Sequence, residues 1–397
     1  MKSIRNLASV SLSVLLAGCL PTLDMRDPVP EPLVERASVA DFGTIRYYSD
    51  DADSLERLAL ARIQHLKHKF ANQNVRGKRF DINFLSLSGG GSDGAFGAGF
   101  LVGWSERGTR PQFDAVSGIS TGAMIAPLAF LGPKYDQQLR EAYTTISTDD
   151  VAQRQVLSAI LGQSAGLVST EPLQRLIAKY MTQEMLEEIA VAHRNGRMLL
   201  IGTTNLDAQK SVIWDIGAIA NSGRTDALAL TRQIILASAA IPGAFPPVEV
   251  NVQADGKPFV ELHVDGGVTR QVFLYPPGYS PTMIDRAIGW KPNRRAYIIR
   301  NSKVDPQFKA IEAKLLPIAS RSIDTLIKTQ GVGDLYKIYM IAKRDGVDYN
   351  LTYIPPDFNV QSSSAFDKVY MNALFQKGYE MARSGYQWEK APPATAF

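Results

Sequence analysis

The stretch FDINFLSLSGGGSDGAFGAGFLVGWSERG, residues 80–108, is an apolar run that meets three glycines and then takes on helical spacing. A run with no polar alternation reads as a strand covered on both faces, and a strand that feeds a helix through a tight turn builds parallel sheet. The pattern recurs: FDAVSGIS precedes TGAMIAPLAFLG, and RMLLIGTTN, SVIWDIGAIA, FVELHVDGG and RRAYIIRNS read as further strands around the helix DALALTRQIILASAA. Residues 170–196 read as one long helical stretch stopped by Asn195 and Gly196. The prediction is an α/β fold with a mostly parallel central sheet flanked by helices over residues 79–302. A mainly helical region follows over 303–397, with VDYNLTYIP as one late strand.

The start of the chain is of another kind. Lys2 and Arg5 precede an apolar stretch reaching Leu16, too short to span a bilayer, and the segment reads as a secretion signal over residues 1–18. LAGC, Leu16 to Cys19, resembles the lipobox of bacterial lipoproteins. Cys19 is the only cysteine, so no disulfide forms within the chain and the thiol is free for lipidation. With Leu20 next, the destination expected by analogy is the outer membrane of a Gram-negative cell. Residues 19–78 then read as a proline-rich tether and an amphipathic helix carrying Leu55, Leu58, Ile63, Leu66 and Phe70 on one face. Its basic face, with Arg62, Lys67 and Lys69, fits either solvent or anionic lipid headgroups. The net charge of +4 comes without a long basic run interleaved with aromatics, which gives nucleic-acid binding no support.

Three glycine-bearing turns carry the candidate chemistry. Gly118-Ile119-Ser120-Thr121-Gly122 lies between a strand and a helix, where a nucleophile turn exposes a serine hydroxyl; an ordinary strand-to-helix connection fits the same letters. Upstream, Gly89, Gly90 and Gly91 leave backbone N–H groups free to face an anion, as an oxyanion hole requires. Gly89, Gly91 and Gly94 also satisfy the dinucleotide fingerprint. That reading needs an acid at the end of the next strand, and Asp114 stands at its beginning.

The base for Ser120 is the harder question. Of the four histidines only His193 and His263 follow Ser120. His193 closes a helix, where a cation suits the dipole, and no acid of obvious character lies between Ser120 and His263, so a serine–acid–histidine order is poorly supported. Asp265 ends an apolar strand and is followed by Gly266 and Gly267. That places a carboxylate at the strand's carboxyl end, where open parallel sheets carry their sites. Partial burial raises a carboxyl pKa toward the range a general base needs; a turn-capping aspartate fits the position as well.

In their order, the Gly-Gly-Gly strand end, Gly-x-Ser-x-Gly and Asp-Gly-Gly resemble the patatin-like phospholipase family, as do TTNLDAQKSVIWD (203–215) and ASAAIPGAFPPV (237–248). The likeness covers roughly residues 82–270. It implies a Ser120–Asp265 dyad with Gly118 and Gly122 shaping the elbow, Gly266 and Gly267 following the base, and the Gly89–Gly91 loop as oxyanion hole. The expected substrate is lipid at a membrane surface; no His-x-x-x-His, acidic cluster or cysteine pair suggests a metal, and no cofactor is expected. One departure is Asp93, where the family carries a basic residue. An acid suits a helix start, whereas negative charge near an oxyanion or phosphate is unfavourable. The expected function is therefore a serine acyl hydrolase cleaving fatty acyl esters of lipids or phospholipids. The alternatives are acyl transfer to another acceptor, or a non-catalytic envelope lipoprotein that keeps the fold for binding, which Asp93 favours. The segment 274–290 reads either as a cover for the site or as a passive surface loop.

Overall fold

A computed structural model describes residues 26–50, 60, 63–64, 81–151, 153–154, 168–275, 281–289 and 291–393. The export signal, Cys19, most of the helix read at 54–70, and residues 276–280 and 290 of the 274–290 segment lie outside the described residues.

The strands are β1 (Arg46–Tyr48), β2 (Asp81–Leu87), β3 (Ala115–Gly118), a short pair β4 (Gln153–Arg154) and β5 (Val168–Ser169), β6 (Met198–Asn205), β7 (Lys210–Asp215), β8 (Val248–Ala254), β9 (Lys257–Asp265), β10 (Asn293–Arg300) and β11 (Asp348–Tyr353). Nine of them form one sheet in the order β1-β7-β6-β3-β2-β10-β11, with β9 on β6 and β8 on β9. From β6 through β3, β2 and β10 to β11 every pairing is parallel. The additions beyond β6 are antiparallel. Strand β8, VEVNVQA, alternates buried and exposed residues along its length and is a period-2 strand that the sequence reading did not single out.

The main helices are α1 (Gly94–Glu106), α2 (Thr121–Leu131), α3 (Glu171–Tyr180), α4 (Gln183–Arg194), α5 (Ile216–Asn221), α6 (Ala227–Ser238), α7 (Leu315–Asp345) and α8 (Lys368–Ser384). Two of them correct the sequence reading. The helical stretch 170–196 breaks at Met181 and Thr182, where the Thr182 side chain accepts from the Met185 N–H and caps a new helix. The run SVIWDIGAIA stops being a strand at Asp215, whose carboxylate accepts from the Ala218 N–H at 2.9 Å and starts α5.

Both faces of the sheet are covered. Tyr297 and Ile299 of β10 pack with Phe96 and Phe100 of α1 and Phe375 of α8, while Ala296 and Ile298 pack with Leu335, Ile338 and Ala342 of α7. The glycines of α1 let its backbone touch α8: a Cβ at Gly99 would stand 2.0 Å from the Phe375 carbonyl oxygen, and one at Gly103 2.2 Å from that of Tyr379. Residues after 303 thus extend the same layers, with β11 as the outer parallel strand.

The branch at β6 positions the site. Strand β3 pairs with β6 only as far as Gly118↔Ile201. Beyond that point β9 takes the same edge antiparallel, with Asp265 opposite Thr203. The end of β9 therefore arrives where β3 turns into α2.

Candidate active site

Ser120 occupies that turn with φ 54° and ψ −123°. A non-glycine residue in such a conformation costs roughly 1–3 kcal/mol and persists only when its surroundings impose it. The imposing groups are identifiable. A Cβ at Gly118 would stand 2.3 Å from the Gly122 carbonyl oxygen, and one at Gly122 2.3 Å from that of Leu87, so neither position admits a larger residue. The Ser120 N–H donates to Ser238 Oγ at 3.0 Å, and that hydroxyl donates to the Gly202 carbonyl at 2.7 Å. Ser238 closes α6 within the ASAAIPGAFPPV segment, and its role was invisible in sequence because it depends on β6 lying alongside.

Ser120 and Asp265 are each 6 % exposed. Burial pushes the Asp265 carboxyl up to about 6, and the nearby Ser120 hydroxyl and the hydrogen bond from the Gly267 N–H oppose a further rise. The Gly267 bond is 2.7 Å long. A Cβ at Gly266 would stand 2.5 Å from the Gly202 carbonyl oxygen, so this turn too is confined to a residue without a side chain.

The glycine loop divides. The Gly89 N–H is committed to the Gln271 carbonyl at 3.1 Å, which corrects its grouping with the two that follow. The N–H groups of Gly90 and Gly91 have no acceptor among the described residues, and neither has that of Thr121 at the start of α2. Gly91 takes φ +56° with open space where a side chain would go, whereas Gly90 is pressed against the Asn301 carbonyl. Gln271 ties the loop to the Asp265 turn: its side chain donates to the Gly267 carbonyl at 3.1 Å, and its own N–H donates to Asp334 on α7 at 2.7 Å. Neither Gln271 nor Asp334 carried a sequence signal.

Asp93 points elsewhere. Its carboxylate accepts from the Tyr370 hydroxyl of α8 at 2.6 Å. Burial pushes this carboxyl up to about 6 as well, opposed by the Tyr370 bond and by the charges of Arg300, Lys303 and Lys328. Arg300, at the end of β10, is 1 % exposed, and its Nε and Nη1 have no hydrogen-bond partner among the described residues. Burial lowers its pKa to about 10, against the pull of Asp334 and Asp93.

The two described histidines, His193 and His263, have other partners. His263 is fully buried between Glu261 (3.0 Å) and Thr203 (2.9 Å). Burial works to raise the Glu261 pKa, but Arg46 and His263 together bring it down to about 2. His193 ends α4, 3.8 Å from Asp215. Asp114 accepts from the Asn83 N–H at 2.9 Å and so ties β2 to the start of β3.

The profile of the family described as "Patatin-like phospholipase" matches residues 85–276. No curated protein matches the chain. Among solved structures, VipD from Legionella pneumophila is 14% identical over 78% of this chain and 68% of its own, with a TM-score of 0.37. Human GIVD cytosolic phospholipase A2 is 10% identical over 89% and 64%, with a TM-score of 0.39. The type III effector protein ExoU is 15% identical over 77% and 53%, with a TM-score of 0.20. The chain thus spans less than two thirds of the latter two proteins' lengths.

Proposed function

Residues 85–276 form a patatin-like phospholipase domain, and from that premise we propose that the chain is a serine acyl hydrolase cleaving fatty acyl esters of lipids. What carries this reading is the placement of Ser120, strained on its turn, near a buried carboxylate whose pKa burial pushes up to about 6 and the Ser120 hydroxyl pulls down. Ser120 Oγ attacks the ester carbonyl while Asp265 takes its proton. The developing oxyanion is met by the N–H groups of Gly90 and Gly91, which have no acceptor among the described residues to give up. Asp265 then hands the proton to the departing alcohol, leaving an acyl-Ser120. Water attacks that ester as Asp265 again serves as base, and Ser120 is regenerated. A base with a pKa near 6 is ionised at neutral pH and still a better acceptor than an ordinary carboxylate. Asp93 does not oppose this chemistry, because its carboxylate is turned to Tyr370 and sits among cations. Cys19, if lipidated as the sequence suggests, would hold the enzyme on the outer membrane beside its substrate.

A fluorophosphonate probe and a panel of lipid esters test the proposal. Ser120 is expected to be labelled and Ser120→Ala to abolish both labelling and ester hydrolysis; a folded Ser120→Ala protein with full activity overturns it.

A further inference from the structure

Helix α7 is built inside out at one end. Counted at about 100° per residue, Leu315, Ile318, Ile323 and Leu326 fall within one face of its N-terminal half. These four are 83%, 50%, 47% and 70% exposed. The opposite face carries Arg321 and Lys328, which reach back to the carbonyls of Gln307 and Asp305. The polar face is thus fastened to the protein by the preceding loop, and the apolar face looks outward. Phe308, on that same loop, is 98% exposed. A water-surrounded helix gains nothing from this orientation, since its aliphatic side chains remain in solvent.

The place of this face tells what it meets. Gly331 packs against the guanidinium of Arg300, at the carboxyl end of β10, and Asp334 holds Gln271 beside the glycine loop. Because α7 leads into β11, which runs parallel to β10, the helix descends from the carboxyl edge of the sheet. Its residues ahead of Gly331 therefore project about 24 Å beyond the edge at which Ser120 sits. Segment 303–328 carries five cations against three acids; Lys309 is exposed next to Phe308, and Lys314, ion-paired with Glu312 at 2.6 Å, is exposed next to Leu315. Exposed aliphatic and aromatic side chains rimmed by lysines match an anionic bilayer surface, where apolar groups enter the acyl boundary and ammonium groups stay among phosphates.

We infer that the outward face of α7, with Phe308, is a docking surface for anionic lipid bilayers that brings the Ser120 edge onto its substrate. The inference deepens the acyl-hydrolase reading and rests on it for the choice of partner. The full chain carrying Cys19→Ser and Ser120→Ala, mixed with sedimenting vesicles of phosphatidylcholine and phosphatidylglycerol, tests it without hydrolysis or acylation. Adding Phe308→Ser, Leu315→Ser and Leu326→Ser is expected to lower the partition coefficient roughly tenfold or more. Omitting phosphatidylglycerol or raising the salt is expected to weaken binding of the parent. In a separate variant, Leu326→Trp is expected to be quenched by brominated lipid. An unchanged partition coefficient, or no quenching, overturns the inference; so does a triple variant that changes only self-association. With Ser120 restored, the triple variant is expected to lose vesicle-lipid hydrolysis by a similar factor while keeping its rate on a water-soluble short-chain ester. If the parent fails to cleave that soluble ester, the hydrolase reading falls while the partition measurement still decides the surface.

Discussion

Two carboxylates flank the glycine loop, and they resemble each other in almost every respect but one. Asp265 begins the short turn Gly266–Val268 and Asp93 stands at the start of α1, each followed by a glycine, and each carboxyl is pushed by burial to about 6. Asp265 faces a serine hydroxyl held in a strained turn; Asp93 faces the phenol of Tyr370 and a group of cations. In the proposed mechanism an ionised Asp265 has a reactive proton to accept. The proton offered to Asp93 belongs to a tyrosine whose pKa is itself raised, first by burial and then by Asp93, so it stays where it is. A perturbed pKa therefore marks both positions, and only the neighbour's chemistry separates the proposed base from a strut that ties α8 to the start of α1.

The hardest way to break this comparison is to neutralise each carboxylate in turn. Asp265→Asn is expected to lower kcat for ester hydrolysis by about a thousandfold or more, as loss of a catalytic base does. Asp93→Asn is expected to stay within about tenfold of the parent, having no reacting proton to move. Equal losses would erase the distinction. Asp265→Asn is also expected to raise the melting temperature at pH 8. The folded carboxyl binds its proton more tightly than the unfolded one, near 6 against 3.8, so the native state loses stability as pH rises through that window. An amide removes that penalty.

The pH profile sharpens the same contrast. kcat/KM is expected to fall about tenfold per unit below pH 6 and to level off above it, because Asp265 must be ionised to act. Asp93→Asn should leave this inflection in place. A profile that shifts with Asp93 instead would move the titrating base to the other turn.

Smaller effects probe the supports. Ser238→Ala strands both the Ser120 N–H and the Gly202 carbonyl, and is expected to cost about 1–2 kcal/mol in stability and roughly tenfold in kcat. Tyr370→Phe removes the donor to Asp93 and leaves that carboxylate buried without it. The expected loss is about 1–2 kcal/mol in a denaturant titration above pH 6, where Asp93 is ionised, fading below it as the carboxyl protonates. Activity should change little, in line with a structural role.

The parts of the site legible in sequence are those whose geometry is local. The strand-to-helix turn around Ser120 needs Gly118 and Gly122 because backbone from adjacent segments fills the space of a side chain, and the Asp265 turn needs Gly266 for the same reason. Such demands are written in a handful of consecutive residues, as is the apolar texture of β2, β3 and β10. The branch of β6, by contrast, joins residues 118 and 265 through register alone. No local pattern states that β9 will take the edge that β3 leaves.

What the sequence by itself determined was the set of turns, the parallel core of the sheet and the two groups that the proposed mechanism sets to act on an ester. Tertiary structure alone decided that the end of β9 arrives where β3 turns into α2, that Asp265 is buried and its carboxyl pushed up to about 6, and that Gly89 donates to Gln271 while the Gly90 and Gly91 N–H groups have no acceptor among the described residues. It also decided that Asp93 turns to Tyr370 and that α7 presents its apolar face outward. The physical reason is one of range. Steric permission is settled within a few residues, whereas desolvation and hydrogen-bond partnership depend on whatever segments the sheet and its helices bring alongside, however distant in the chain.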